Sequence, residues 1–586
     1  MSQPAHHLPA VAPAVTADIV GALSPRLRKR LDAAITKIAD RPVTRDGDTV
    51  RITVDDETAL ELHAPTGVVT TADAIRCDCL LAPGCLHRAA IVSAAPVADP
   101  ASDPPSDATG QPSPGDGDDA GLPEPPQAEE STATPEQRAA AGHLWAAGAA
   151  LLDTGIEGAG AVLQSELLRA AHTAKLAGLP RPAAAAVSVV TALRSARSGD
   201  PAHRLADLTA AVRELLGTAH RLPEATGPEL AALRGTARQS YVPDGSLRLY
   251  GLFTEPLITA GGYAGAITWT TAADGRLYTV SDVAPGGPGR AAAAAGRTVR
   301  MGDTALTHRQ LSHAGLALSG ATVSPTGRLG AGAGVKAVQA AGAAWTDEPL
   351  AALWTPPAAE QVARALHSPA PGADLLFLDV TIQGPTRETG GDCLLATCED
   401  LTLRLIAAHD HPALAYRDNL RMLAALPGTR LRVAGRLVPD SRPSLQLLAA
   451  AHPADPARHV DLGLERLQRA DLPSAAPPVA QVATGREADR APLHLLRRRL
   501  EQAVAAGRPF LAVPGSLPAD AGQLRRSALP TGADLLAELQ RTATRRARDP
   551  FGRLLPADPT DFARAWLAAA LYTEAAETSL CAAAWR

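Results

Sequence analysis

Aromatic side chains are scarce. Phe, Trp and Tyr together make up 3% of the 586 residues. The cores must therefore rest on Leu, Val, Ile and Ala, within a hydrophobic fraction of 46%. Lysine is scarcer. Lys29, Lys37, Lys175 and Lys336 are the only four, so 52 of the 56 basic residues are arginine. With the abundance of Ala and Pro, this reads as a chain encoded by a GC-rich bacterial genome. Long apolar runs are missing too. No stretch approaches the ~18 strongly apolar residues of a membrane span, so no membrane partner is expected. Met1–Ala17 has no basic segment ahead of an apolar core, which argues against a secretory signal. Six cysteines are too few for a disulfide scaffold. These absences together predict a cytoplasmic protein.

The usual signatures of catalysis are absent as well. There is no G-x-S-x-G elbow, no H-E-x-x-H, no P-loop and no kinase-type glycine loop. The run Gly330–Lys336 lacks the third glycine of a dinucleotide fingerprint, because Val335 stands there, and is read as a turn. His409-Asp410-His411 is read as a surface turn, since alternate residues of an extended chain face opposite ways. No carboxylate pair stands in an apolar context that would raise a pKa. The chain is expected not to be an enzyme.

Against this background one segment stands out. Arg76-Cys-Asp-Cys-Leu-Leu-Ala-Pro-Gly-Cys-Leu-His87 holds half of the six cysteines. Cys77, Cys79, Cys85 and His87 are good soft-metal ligands. Two close pairs joined by a loop with Pro83 and Gly84 can surround one ion. Three thiolates and an imidazole form a common structural Zn²⁺ set, and four protein ligands leave no open position for water. One structural zinc is therefore expected. Cys393, Cys398 and Cys581 are read as buried thiols.

The order Cys-x-Cys, short loop, Cys-x-His resembles the SWIM zinc finger. Its surroundings fit. Thr49–Val54 and Thr58–His63 read as two β-runs around an acidic turn, Val68–Thr70 begins a third, and Arg88–Ala95 suits a short helix. The resemblance covers roughly residues 20–95. It implies a bacterial SWIM-finger protein that binds protein or nucleic acid. It also implies membership of multi-gene systems with MoxR-type AAA ATPases and von Willebrand A proteins.

The fold class read from the whole chain is multidomain α+β. The finger module occupies 20–95. Residues 96–134 form an acidic linker: no basic residue lies between Arg88 and Arg138, and ten acidic ones do. Such a segment cannot bury enough apolar surface to offset its ordering entropy. It is expected to uncouple the finger from the rest. Residues 135–230 show helical stripes, such as Leu144/Leu151/Leu152 and Leu208/Val212/Leu215/Leu216. Residues 239–345 are β-rich, with a tight turn at Asp274-Gly275. Residues 371–451 run strand, strand, strand, helix, strand, strand, the order of an OB-like barrel. Residues 459–586 are mostly helical, with Arg497–Arg499 read as a solvated face.

Two functions follow. The first is a non-enzymatic scaffold or adaptor that uses the finger to bind a protein or nucleic acid. The second is a single-stranded DNA- or RNA-binding protein that uses finger and barrel. The basic group Arg26, Arg28, Lys29 and Arg30 is the candidate nucleic-acid contact near the metal, with Arg430, Arg432 and Arg436 next. Charge weighs against this reading. Residues 1–92 carry 10 basic and 11 acidic residues, and residues 371–450 carry 8 and 9. Phosphate binding needs a positive surface.

Overall fold

The computed structural model describes residues 8–55, 57–98, 132–236, 241–259, 263–302, 304–330, 334–368, 370–388, 391–472, 491–513, 515–545, 549–553, 555 and 558–586. The protein is multidomain and mixed α+β, and it divides into two compact units. One comprises residues 1–238 and 491–573. The other comprises 239–490 and 574–586.

In the first unit, β1 (Ala10–Val11) and the helix Pro13–Gly21 precede the finger. A single helix from Ser24 is expected from the spacing of Leu27, Leu31, Ile35 and Ile38. Two are found, Pro25–Arg28 and Leu31–Ala39. Then come β2 (Val43–Asp46), β3 (Thr49–Thr53), β4 (Ala59–His63), β5 (Val68–Val69) and β6 (Ile75–Cys77). The four-stranded antiparallel sheet has the order β2-β3-β4-β6. The β5 run does not join it. Instead β5 pairs in parallel with β1. Alternation in β3 buries Val50 and Ile52 and exposes Arg51.

The helices Pro135–Gly158, Ala161–Leu176, Pro180–Arg197 and Leu205–Arg221 bury the stripes read from sequence; Leu144, Leu151, Leu208 and Leu215 are fully buried. Thr134 and Gln137 cap the first of these helices reciprocally. It kinks at Gly155, at φ +70°, where a Cβ would lie 2.5 Å from the Gly507 nitrogen. The helix Leu493–Ala506 thus packs against it at backbone distance. Leu496, Leu500, Leu536, Phe562 and Trp566 join the same core. The two helical regions separated by sequence therefore share one interior.

The finger does not stand apart from these helices. Asp32 accepts the Ala161 N–H at 3.1 Å and pairs with Arg197. Arg169 donates to the Ala17 carbonyl. Ala161 belongs to the finger's own core, with Leu31, Ile52 and Ile91. Uncoupling by the acidic segment was the expectation, and the structure differs. Residues 99–131 of that segment lie outside the described residues. The helix Pro13–Gly21, most of which lies outside the 20–95 expected for the finger, and the helix Leu31–Ala39 within it supply these docking contacts.

The second unit holds two sheets. The first contains β7 (Val242–Ile258), β8 (Tyr263–Ala272), β9 (Leu277–Pro285), β10 (Gly315–Val323) and β11 (Lys336–Ala340), in the order β11-β10-β7-β8-β9. Gly275 takes φ +83° in the expected turn. The second contains β12 (Leu375–Glu388), β13 (Gly391–Cys398), β14 (Leu401–Ala407), β15 (Arg430–Leu437), β16 (Ser444–His452) and β17 (Asp455–Asp461). Its order is β14-β13-β12-β15-β16-β17, and β14 also pairs in parallel with β16. The helix Tyr416–Ala424 sits between β14 and β15. Phe253, Trp269, Trp345, Trp354 and Phe377 gather in one core cluster fed by both sheets.

Candidate metal centre

The four ligand candidates are set by three local features. Strand β6 ends on Cys77. The chain then leaves the sheet and turns through Cys79 to Pro83 and Gly84. Cys85 is the N-cap of the helix Leu86–Ala94, and its sulfur accepts the Arg88 N–H at 3.5 Å. His87 lies in the first turn of that helix. The ligand atoms of Cys77, Cys79, Cys85 and His87 all lie within 4.8 Å of one another. Cys77 Sγ and His87 Nδ1 are 3.8 Å apart.

These residues fit a metal ion. Ligands bonded to Zn²⁺ at roughly 2.0–2.3 Å in a tetrahedron lie just under 4 Å from each other, close to the separation found. Burial pushes the Cys77 thiol up to about 12, and crowding by Cys79 and Cys85 adds to this. Burial and Cys79 likewise raise Cys85. Cys77 and Cys85 thus resist ionisation unless a cation shares the site. The helix N-terminus at Cys85 favours negative charge on that sulfur. Among the described residues this is the one group of three or more Cys, His, Asp or Glu placed to hold an ion.

Sequence reading missed Arg88. This arginine is buried, and its guanidinium donates to the Pro83 carbonyl at 2.6 Å and to the Ala72 carbonyl. It ties the loop between the ligand pairs to the turn before β6. Nothing in local spacing distinguishes it from a surface arginine. The loop itself projects Leu80, which is fully exposed, and Leu81, which is exposed.

Other sequence candidates lie elsewhere. Arg28 donates to the Leu23 and Gly21 carbonyls, while Arg26, Lys29 and Arg30 are exposed. Arg432 pairs with Asp379, and Arg436 with Glu255 and Asp374; Arg430 is exposed. Arg499 is not on a solvated face: it is buried against Asp520. His409 and His411 have ring centroids 6.3 Å apart in an irregular segment after β14. Cys393, Cys398 and Cys581 are buried free thiols. The Gly330 run lies partly outside the described residues, and Lys336 opens β11. Among the described residues, no helix is long and apolar enough to cross a membrane.

No protein-family model matches the chain, and no curated protein or solved structure matches it either.

Proposed function

We propose that Cys77, Cys79, Cys85 and His87 hold one structural zinc ion, and that the chain is a SWIM-type, non-enzymatic scaffold that docks a partner protein. The observation that carries the partner class is the loop between the ligand pairs. Leu80 and Leu81 stand in water at its tip. Covering both with an apolar pocket is favourable by roughly 1.5–3 kcal/mol per side chain. The metal holds that tip in one shape, so little ordering entropy opposes docking. The resemblance to SWIM proteins makes a MoxR-type AAA ATPase, with its von Willebrand A companion, the partner to test first.

The single-strand reading has weaker support. The parallel pairing of β14 with β16 supports reading β12 to β16 as an OB-like barrel. Single-strand binders need exposed rings and free cations. Phe377 and Tyr416, the only aromatics in 371–451, are both buried, and Arg432 and Arg436 are paired.

Two measurements test the proposal. Elemental analysis should give one zinc per chain, and close to none in a Cys77→Ala/Cys79→Ala variant. Leu80→Asp/Leu81→Asp should keep the zinc and abolish co-purification with a co-expressed ATPase partner. Salt-sensitive binding of the wild type to DNA or RNA, lost on replacing Arg26, Lys29 and Arg30 by Ala, would instead establish the nucleic-acid reading.

A further inference from the structure

Three arginines are buried among the described residues: Arg88, Arg499 and Arg508. Two of them face a carboxylate. Arg499 Nε lies 3.0 Å from Asp520 Oδ2, and Arg508 pairs with Asp153 at 2.6 Å. That is the ordinary arrangement, because a buried cation without a counter-charge is strongly destabilising. Arg88 breaks the pattern. Its Nη1 and Nη2 donate to the carbonyls of Pro83 and Ala72, and its Nε–H is buried without a partner. Among the described residues no carboxylate lies within ion-pair distance of it. Carbonyl dipoles solvate a guanidinium but do not neutralise it.

The metal ligands lie beside this orphan charge. Cys85 is the N-cap and Arg88 the third residue of the helix Leu86–Ala94, positions whose side chains meet. The Arg88 backbone N–H already donates to the Cys85 sulfur at 3.5 Å. The Pro83 carbonyl, 2.6 Å from Nη1, belongs to the loop between the ligand pairs. The neighbouring charges Asp55, Asp73, Arg76 and Asp78 are all exposed, so water and salt screen them. Zn²⁺ held by three thiolates and a neutral imidazole carries one net negative charge. Cys85 is buried and the other three ligands are half-buried, so such a centre calls for a cation that is also out of water.

We propose that Arg88 is the counter-cation of the metal centre, its guanidinium cancelling the excess negative charge of three thiolates on a dication. The inference rests on the zinc reading above and adds a charge preference to it. Arg88 then has two roles, as clamp of the loop and as counter-charge. A clamp is indifferent to the number of thiolates, and a counter-charge is not.

The test is a double-mutant cycle on the full chain, read as zinc affinity by competition with a chelator. Arg88→Gln should weaken zinc binding by roughly tenfold or more. Arg88→Lys, which keeps the charge and loses the planar fork, should stay near the wild type. Cys79→His exchanges a thiolate for an imidazole and makes the zinc centre neutral. In that background Arg88→Gln should cost nothing. A second readout serves where Cys79→His takes up no zinc. Uncompensated thiolates are the stronger nucleophiles, so iodoacetamide should alkylate zinc-loaded Arg88→Gln faster than the wild type, and Arg88→Lys at the wild-type rate. The inference is overturned if Arg88→Lys is as damaging as Arg88→Gln in either readout, or if Arg88→Gln costs the same in both backgrounds. Zinc held equally well by the wild type and Arg88→Gln would overturn it alone. Wild-type protein that takes up no zinc would overturn the zinc reading, and this inference with it.

Discussion

The metal knuckle and a cleft in the second unit each gather a few polar side chains, by opposite routes. The knuckle draws its four ligands from eleven consecutive residues, Cys77 to His87. The cleft in the second unit is lined by positions 309, 313, 339 and 458, brought together by a helix and two edge strands. The knuckle costs little loop-closure entropy, and under the zinc proposal its three crowded thiols would gain most of their order from an ion. The cleft gains its order from packing, through the ring column His313, His459, Trp345 and Trp354. A site closed locally leaves a pattern in sequence. A site closed by tertiary packing leaves none.

That contrast can be broken most sharply at the metal. Chelation, or Cys77→Ala/Cys79→Ala, should remove the ion and abolish hydrogen-exchange protection across residues 43–95. Because Asp32 caps the helix that starts at Ala161, the loosening should reach the first turn of that helix. It should leave β12 to β16 protected. Protection retained throughout 43–95 without metal would show that packing alone holds the finger.

The reverse experiment removes packing and spares the metal. Trp345 is buried between His459 and Trp354 and donates to the Leu252 carbonyl. Trp345→Ala should destabilise the second unit by about 3–5 kcal/mol, read by denaturant unfolding. Zinc content should not change.

A smaller effect is expected at Arg88. Arg88→Ala leaves the Pro83 and Ala72 carbonyls without their donor. A loss of about 1–3 kcal/mol should appear as faster zinc transfer to a chelator, with stoichiometry still one. An unchanged transfer rate would mean that the ion alone fixes the loop.

The smallest effect concerns pH. His308 is buried, with Nδ1 2.8 Å from Thr268 Oγ1, and burial lowers its pKa. The unfolded imidazole takes up a proton near pH 6.5 and the folded one does so at lower pH. Its contribution to stability is full above about pH 6.5 and falls as the pH drops below it. Denaturant unfolding of the second unit between pH 7.5 and 5 should show this decline, and His308→Gln should make it shallower, leaving the part due to His313, whose ring is held down to about 4 by burial. A decline of equal slope in that variant would assign the effect to other groups.

Much of the local structure was legible. Three antiparallel runs, a helix and two further runs are found at β12 to β16, because alternating burial and turn residues act over a few positions. The strands β10 and β11 were only partly visible, since Gly-rich segments around Gly320 and Gly334 mask the alternation. The break between Arg28 and Leu31 was not visible either. There Arg28 turns back to the Leu23 and Gly21 carbonyls, a contact that helical spacing cannot announce.

The sequence by itself determined the grouping of Cys77, Cys79, Cys85 and His87, the helical stripes and most strands, since each depends on neighbours within a dozen residues. Tertiary structure alone decided three things. It docked the finger on the helix Ala161–Leu176 through Asp32 and Arg169. It merged residues 491–573 with the helices of 135–221 in one core. It brought Arg309, His313 and Arg458 to the walls of one cleft. All three join residues more than a hundred positions apart, where the free energy comes from surface buried between elements and no short-range pattern records it.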